Sequence, residues 1–150
     1  MKGLHIFADN VFAHEILHFC SGIILFFLIL KLFFRLDMAI IAFLLSVLID
    51  IDHYLEGFMV EKAKIGWIFK HHPCVYWKKT GRMTIFFHSW ELLPIIWFLG
   101  KIFENAALSL SFILSLSLHY SIDTLIYGSL RKISLWQYFF IFRLKNKFSF

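Results

Sequence analysis

Cysteine, proline and glycine are scarce in this chain. Its 150 residues include two cysteines, two prolines and seven glycines, so neither a disulfide framework nor a proline- or glycine-rich linker is expected. Acidic residues are also few, with ten Asp and Glu against fifteen Lys and Arg. This basic excess is not accompanied by a basic, aromatic-interleaved motif, which excludes nucleic acid as the expected partner. A single domain covering residues 1–150 is predicted.

Apolar residues make up most of the chain instead. They account for 60% of it, and twenty residues are phenylalanine, which is far more apolar than a soluble domain. Four apolar runs approach or reach the length that crosses a bilayer: residues 16–34, 38–55, 84–99 (with Pro94 as a kink) and 106–126. The sequence therefore predicts an all-α, multi-pass membrane protein with four antiparallel transmembrane helices in a lipid bilayer.

Two further segments favour helices that lie in the membrane interface. The lysine-rich connection 56–82 contains a weakly amphipathic stretch, which His71-His72-Pro73 would end. The C-terminal tail is apolar and aromatic over residues 133–144 and is flanked by the cations Arg131, Lys132, Arg143, Lys145 and Lys147. Twelve of the fifteen Lys and Arg residues fall on the membrane side that holds both termini. The positive-inside rule then predicts that both termini lie in the cytoplasm.

Histidines and carboxylates stand at the same end of every predicted span. In an antiparallel bundle, the start of the first and third helices and the end of the second and fourth share one membrane face. These four ends carry the following candidate ligands: His14 and His18; Asp50, Asp52 and His53; His88 and Glu91; His119 and Asp123. Charged groups inside a bilayer are costly, and imidazoles and carboxylates on facing helices are how metal sites are built into bundles. The pattern predicts a metal site at the cytoplasmic ends of the helices.

The donor set of this site is mixed. Imidazole and carboxylate ligands fit one or two divalent ions, and they suit Zn, Mn and Fe alike. Asp52 and Glu91 are candidates for a general base or for orienting the ligands. The sequence leaves open whether His14, His71 or His72 joins the site. The predicted metal ligands are His18, Asp50, His53, His88, His119 and Asp123.

Four short motifs follow one another along residues 14–128. They are His18, the block Ile49-Asp50-Ile51-Asp52-His53, the element Phe87-His88-Ser89, and His119-Tyr120-Ser121-Ile122-Asp123 followed by Gly128. Together they resemble the family of LexA-regulated, membrane-bound, metal-dependent hydrolases, in which a proline usually stands where this chain has Ile49. The resemblance implies hydrolase chemistry. At a membrane interface, a lipid headgroup or a small polar metabolite is the expected substrate, as an ester or phosphoester.

Two alternatives use the same residues. The stretch His14-Glu15-Ile16-Leu17-His18 fits the H-E-x-x-H pattern of zinc peptidases, with Glu15 as the general base. An intramembrane zinc peptidase would take a third ligand from the second span, but it leaves His88, His119 and Asp123 without a role. The second alternative is a non-enzymatic metal-ion transporter or sensor built on the same ligands.

Overall fold

The computed structural model describes residues 11–59, 77, 79–128 and 133–149. Within these residues the secondary structure is helical and no strand forms, which confirms the all-α prediction. A π-helical turn at Thr124–Gly128 extends α5, and a 3₁₀ turn at Leu135–Tyr138 precedes α6. The helices are α1 (Val11–Phe33), α2 (Leu36–Leu48), α3 (Ile51–Met59), α4 (Leu92–Ile102), α5 (Ala106–Asp123) and α6 (Phe140–Lys145).

Three helical stretches among the described residues are long and apolar enough to cross a membrane. They are α1, the stretch Leu36–Met59 formed by α2 and α3, and Ala106–Ile126, which contains α5. α4 is also apolar but has only 11 residues. At 1.5 Å per residue it reaches about 16 Å, roughly half the thickness of a bilayer core. Three of the four predicted spans are therefore present by length and composition, and the third predicted span is not.

The 82–91 loop occupies the place where the third span was predicted to begin. This segment is not helical because its backbone N–H groups bond to distant parts of the chain. The N–H of Phe87 donates to the Asp52 carboxylate at 2.9 Å, and that of Trp90 donates to the Tyr138 carbonyl at 3.0 Å. Pro94 lies in the first turn of α4, where a helix loses no hydrogen bond to it, so it does not kink a span.

Two tight turns fold the long helices into antiparallel hairpins. Phe34, with a φ of 52°, lies in the turn between α1 and α2. Glu104, also with a φ of 52°, lies in the turn between α4 and α5, where the Asn105 side chain caps α5 by accepting from the Leu108 N–H. Both turns lie at the helix ends that are remote from the histidines.

Small residues allow α1, α2 and α5 to approach closely. A β-carbon added at Gly22 of α1 would overlap Ser46 of α2. One turn earlier in α2, the Ala42 carbonyl accepts from Ser115 Oγ of α5 at 2.8 Å. Ser109 Oγ donates to a carbonyl of α4 in the same way, at 3.0 Å. Hydroxyl-to-backbone contacts of this kind join helices without bulky side chains between them.

The C-terminal tail packs against the 82–91 loop. The Glu91 carboxylate accepts hydrogen bonds from the backbone N–H groups of Phe140 and Ile141, each at 3.0 Å, at the start of α6. Arg143 is fully buried, which corrects the prediction that it is a cation flanking an interfacial helix. Burial follows from the acceptors that the loop offers to its guanidinium. The tail is thus part of the folded core at this end of the molecule.

The connection between α3 and the 82–91 loop is described in part. The interfacial helix predicted there lies outside the described residues, as do His71 and His72. Glu56 at the end of α3 is buried and accepts from Trp77 Nε1 at 2.8 Å. Its other oxygen accepts from the N–H and the hydroxyl of Thr84, at 2.5 and 2.7 Å. One carboxylate therefore anchors both ends of this connection.

Candidate metal centre

Eight ionisable side chains from α1, the turn between α2 and α3, α3, the 82–91 loop and α5 form one buried cluster. Both hairpin turns lie at the far ends of the helices, so the helix ends that carry these side chains lie next to one another. None of the eight is more than 5% exposed. All six ligands predicted from the sequence are members, together with Asp52 and with His14, which the sequence left open. The members are His14, His18, Asp50, Asp52, His53, His88, His119 and Asp123.

Four ligand atoms face one another at the middle of the cluster. His88 Nε2 lies 3.1 Å from Asp50 Oδ1 and 3.0 Å from His119 Nε2. His119 Nε2 is 3.4 Å from an oxygen of each carboxylate, and His88 Nε2 is 3.4 Å from Asp123 Oδ2. Atoms bound at about 2.0–2.1 Å to a tetrahedral Zn²⁺ are themselves about 3.3–3.4 Å apart. The first ligand group (Asp50, His88, His119 and Asp123) therefore has the dimensions of a divalent metal site.

The remaining ring nitrogens of the two histidines are held by acceptors outside this group. His119 Nδ1 lies 3.0 Å from the Ser46 carbonyl, and His88 Nδ1 lies 3.1 Å from the Asp52 carboxylate. A carbonyl accepts only, so Nδ1 of His119 carries the hydrogen and Nε2 of the neutral ring keeps its lone pair. The Asp52 carboxylate also only accepts, so it likewise places the hydrogen of a neutral His88 ring on Nδ1. With both rings neutral, the two Nε2 lone pairs face each other beside two carboxylates, so the group calls for a cation there, either a proton on a ring or a metal ion.

Two further observations show that the cluster favours positive charge. Oδ2 of Asp50 and Oδ2 of Asp123 are buried, and no described residue donates a hydrogen bond to them. Burial alone would lower the pKa of the His88 imidazole, but the carboxylates of Asp52 and Asp123 raise that pKa well above its ordinary value. A divalent ion would balance the negative charge of these carboxylates as a proton on His88 does. The donors present thus fit a metal ion, and the mixed set suits Zn, Mn and Fe.

A second ligand group lies on the α1 side of the cluster. His14 and His18 are one helical turn apart, and their Nε2 atoms are 3.0 Å from each other. Asp123 Oδ1 is 3.1 Å from Nε2 of His18 and 3.4 Å from that of His14. The second ligand group (His14, His18 and Asp123) thus shares its carboxylate with the first.

The structure separates the three residues that the sequence proposed as catalytic. Asp52 lies within the cluster and orients His88. Glu91 lies outside it and holds the start of α6. Glu15 lies beside it on α1, where it accepts a hydrogen bond from the Tyr54 hydroxyl at 2.9 Å.

Two buried residues that the sequence did not single out support the 82–91 loop. The Arg143 guanidinium donates to the carbonyl of Ile85, to that of His88 at 3.3 Å, and to Ser89 Oγ. The Tyr120 hydroxyl donates to the carbonyl that precedes His88. Arg143 stands among other tail cations in the sequence and carries no distinguishing signal. Tyr120 follows a predicted ligand, which is the one hint of its role.

Comparison with known proteins gives no match, since no family model, no curated protein and no solved structure matches this chain. The resemblance to membrane-bound hydrolases therefore depends on the motifs alone. The structure adds that these motifs form a single buried His/Asp cluster, able to hold a metal ion, in a helical protein with three candidate membrane spans.

Proposed function

We propose that this protein is a membrane-embedded, metal-dependent hydrolase of an ester or phosphoester, either lipid-derived or small and polar. The proposal is carried by one observation. Two imidazole Nε2 atoms lie 3.0 Å apart, and each lies 3.1–3.4 Å from an oxygen of two carboxylates, while the Nδ1 atoms of both rings are already engaged. The Lys and Arg distribution favours a site on the cytoplasmic side of the inner membrane.

A divalent ion held by the first ligand group would supply Lewis-acid chemistry, by activating water and polarising a phosphoryl or acyl oxygen. The protein's own residues fix where this happens. Asp52 and the Ser46 carbonyl hold the rings of His88 and His119 in orientation. Burial of the cluster strengthens each electrostatic contact and limits competing water.

His53 belongs to neither the first nor the second ligand group, although with Asp52 and His88 it forms a third set of buried donors that could hold a metal ion. Its Nε2 is 3.5 Å from Asp50 Oδ1, and neither of its ring nitrogens has a hydrogen-bond partner among the described residues. The first ligand group contains four ligands without it, so a metal ion there does not need His53 to be held. We assign the His53 imidazole to the substrate, as a buried hydrogen-bonding group beside the metal site.

The test is hydrolysis by the purified full-length protein in detergent. Aryl phosphate and aryl ester substrates, and phospholipid in mixed micelles, should be cleaved, with activity lost to a chelator and restored by Zn²⁺ or Mn²⁺. His119→Ala should lose both metal and activity. Ser117→Ala, two residues away on the same helix, should keep both. A metal-loaded wild-type protein that cleaves none of these ester classes would refute the hydrolase proposal and favour a transporter or sensor.

One observation supports the zinc peptidase as a second candidate. His14 and His18, the two histidines of the H-E-x-x-H pattern, converge with a carboxylate. That carboxylate is Asp123 of α5, whereas the peptidase alternative expected a third ligand from the second span. A variant of the predicted base separates the two functions. Glu15→Gln should keep its metal and most of its activity in the hydrolase, whereas a peptidase would keep its metal and lose turnover.

A further inference from the structure

We infer that the cluster is a two-metal centre, in which the Asp123 carboxylate bridges two divalent ions and the substrate is a phosphoester. This inference rests on the proposed function for its first ion and adds the second. The first ligand group holds one ion through Asp123 Oδ2. The second ligand group holds the other through Asp123 Oδ1.

The second group has the same internal dimensions as the first. Its three separations are 3.0, 3.1 and 3.4 Å, which are the edges of one triangular face of a metal coordination shell with bonds of about 2.0–2.1 Å. All three residues are buried, so bulk water does not solvate these donors. Three protein ligands leave a fourth position open, which is typical of catalytic and not of structural metal sites.

The two groups lie side by side. The imidazoles of His18 and His119, one from each group, stack with ring centroids 3.8 Å apart and an interplanar angle of 23°. Between them, Asp123 directs one oxygen to each group. In two-metal hydrolases the ions stand about 3.5–4 Å apart and clamp the attacking and leaving oxygens of one displacement. A carboxylate with its oxygens divided in this way matches that arrangement.

The charge balance of the centre indicates its substrate class. Asp50, Asp52 and Asp123 contribute three negative charges, and the histidine ligands are neutral when they bind metal. Two divalent ions would leave the centre with a net positive charge, whereas a single ion would leave it negative. A positive, buried centre selects an anionic group, so a phosphate monoester or diester is favoured over a neutral carboxyl ester.

Counting bound Mn²⁺ tests the inference without any assay of activity. Metal-depleted full-length protein in detergent is loaded with Mn²⁺, desalted, and examined for metal content and electron paramagnetic resonance. We expect two Mn²⁺ per chain in the wild type, with the spectrum of an exchange-coupled pair. His14→Ala and His18→Ala should each bind one Mn²⁺ with an uncoupled six-line signal. Cys20→Ser, at an exposed position on the same helix, should still bind two.

One Mn²⁺ per chain in the wild type would overturn the inference, and so would two in both histidine variants. The wild-type count decides the matter even if a variant fails to fold. The outcomes also separate this inference from the proposed function. A count of one ion together with chelator-sensitive hydrolysis would exclude the second ion and still support the hydrolase function. A count of two coupled ions without hydrolysis of any ester would support the bridged centre and exclude the hydrolase function.

Discussion

Arg143→Met is expected to damage the metal centre from a distance, although Arg143 is no ligand. Its guanidinium is fully buried and donates to two backbone carbonyls and one hydroxyl of the 82–91 loop, which presents His88 to the cluster. Methionine keeps the apolar length of the side chain and removes every donor. Three acceptors then lose their donor where water does not reach them.

The magnitude follows from these contacts. A hydrogen bond from a charged donor is worth about 1.5–3 kcal/mol, and three made by one group are not additive. We expect the free energy of unfolding to fall by about 3–5 kcal/mol, because each buried acceptor left unpaired costs about 1–3 kcal/mol and the three costs do not add fully. Substitution of a residue that holds a metal ligand in orientation typically weakens metal binding by about 10–100-fold. Arg143→Met should therefore weaken Zn²⁺ binding within that range.

The assay is thermal unfolding in detergent, paired with Zn²⁺ titration of the same preparation. Lys145→Met makes the same chemical change at an exposed position of α6 and should leave both measurements unaltered. If Arg143→Met unfolds and binds Zn²⁺ like the wild type, the tail does not position His88 and the reasoning is refuted.

Three other variants test separate parts of the structure. His53→Ala should keep its metal and lose more than tenfold in activity, because the first ligand group is complete without it; loss of metal would make it a ligand. Gly22→Val should lower stability by about 1–3 kcal/mol, because the added carbons overlap Ser46 across the contact between α1 and α2. Unchanged thermal unfolding would contradict that close approach. Glu56→Gln should cost about 1–3 kcal/mol, because the amide has a single accepting oxygen, which cannot serve both Thr84 and the buried indole. An equally stable variant would show that this anchor is dispensable.

Matched controls exist for the two stability variants. Ile24→Val alters an exposed position on the same helix as Gly22, and Glu104→Gln removes an exposed carboxylate in place of a buried one. Neither should shift the unfolding midpoint measurably.

The convergence of the site was predictable because it is a matter of topology. Antiparallel helices joined by short turns bring alternate ends together, so residues such as His18, Asp50 and His119 meet whatever the details of packing. The spacing of His14 and His18 fixed their shared helical face. It could not show that Asp123 completes a ligand group with them, since that depends on the rotation of α1 against α5.

The 82–91 loop was not predictable for a physical reason. Its apolar composition resembles the start of a span, and the sequence carries no local signal that breaks a helix there. The loop is held by carboxylates far away in the chain: Glu56 is 28 residues from Thr84, and Asp52 is 35 residues from Phe87. Side chain-to-backbone contacts at such separations leave no periodic pattern. Arg143 could not be told apart from the other tail cations for the same reason, because its acceptors lie more than 50 residues earlier in the chain.

The turns that close the two hairpins also set the order in which the protein can be assembled. Each hairpin is local in sequence, so α1 can pair with α2 long before α5 is made. The first ligand group takes Asp50 from one hairpin and Asp123 from the other, 73 residues later. At about 5–20 residues per second, synthesis of that interval lasts about 4–15 s. The first hairpin would therefore be paired before the group that could hold a metal ion is complete.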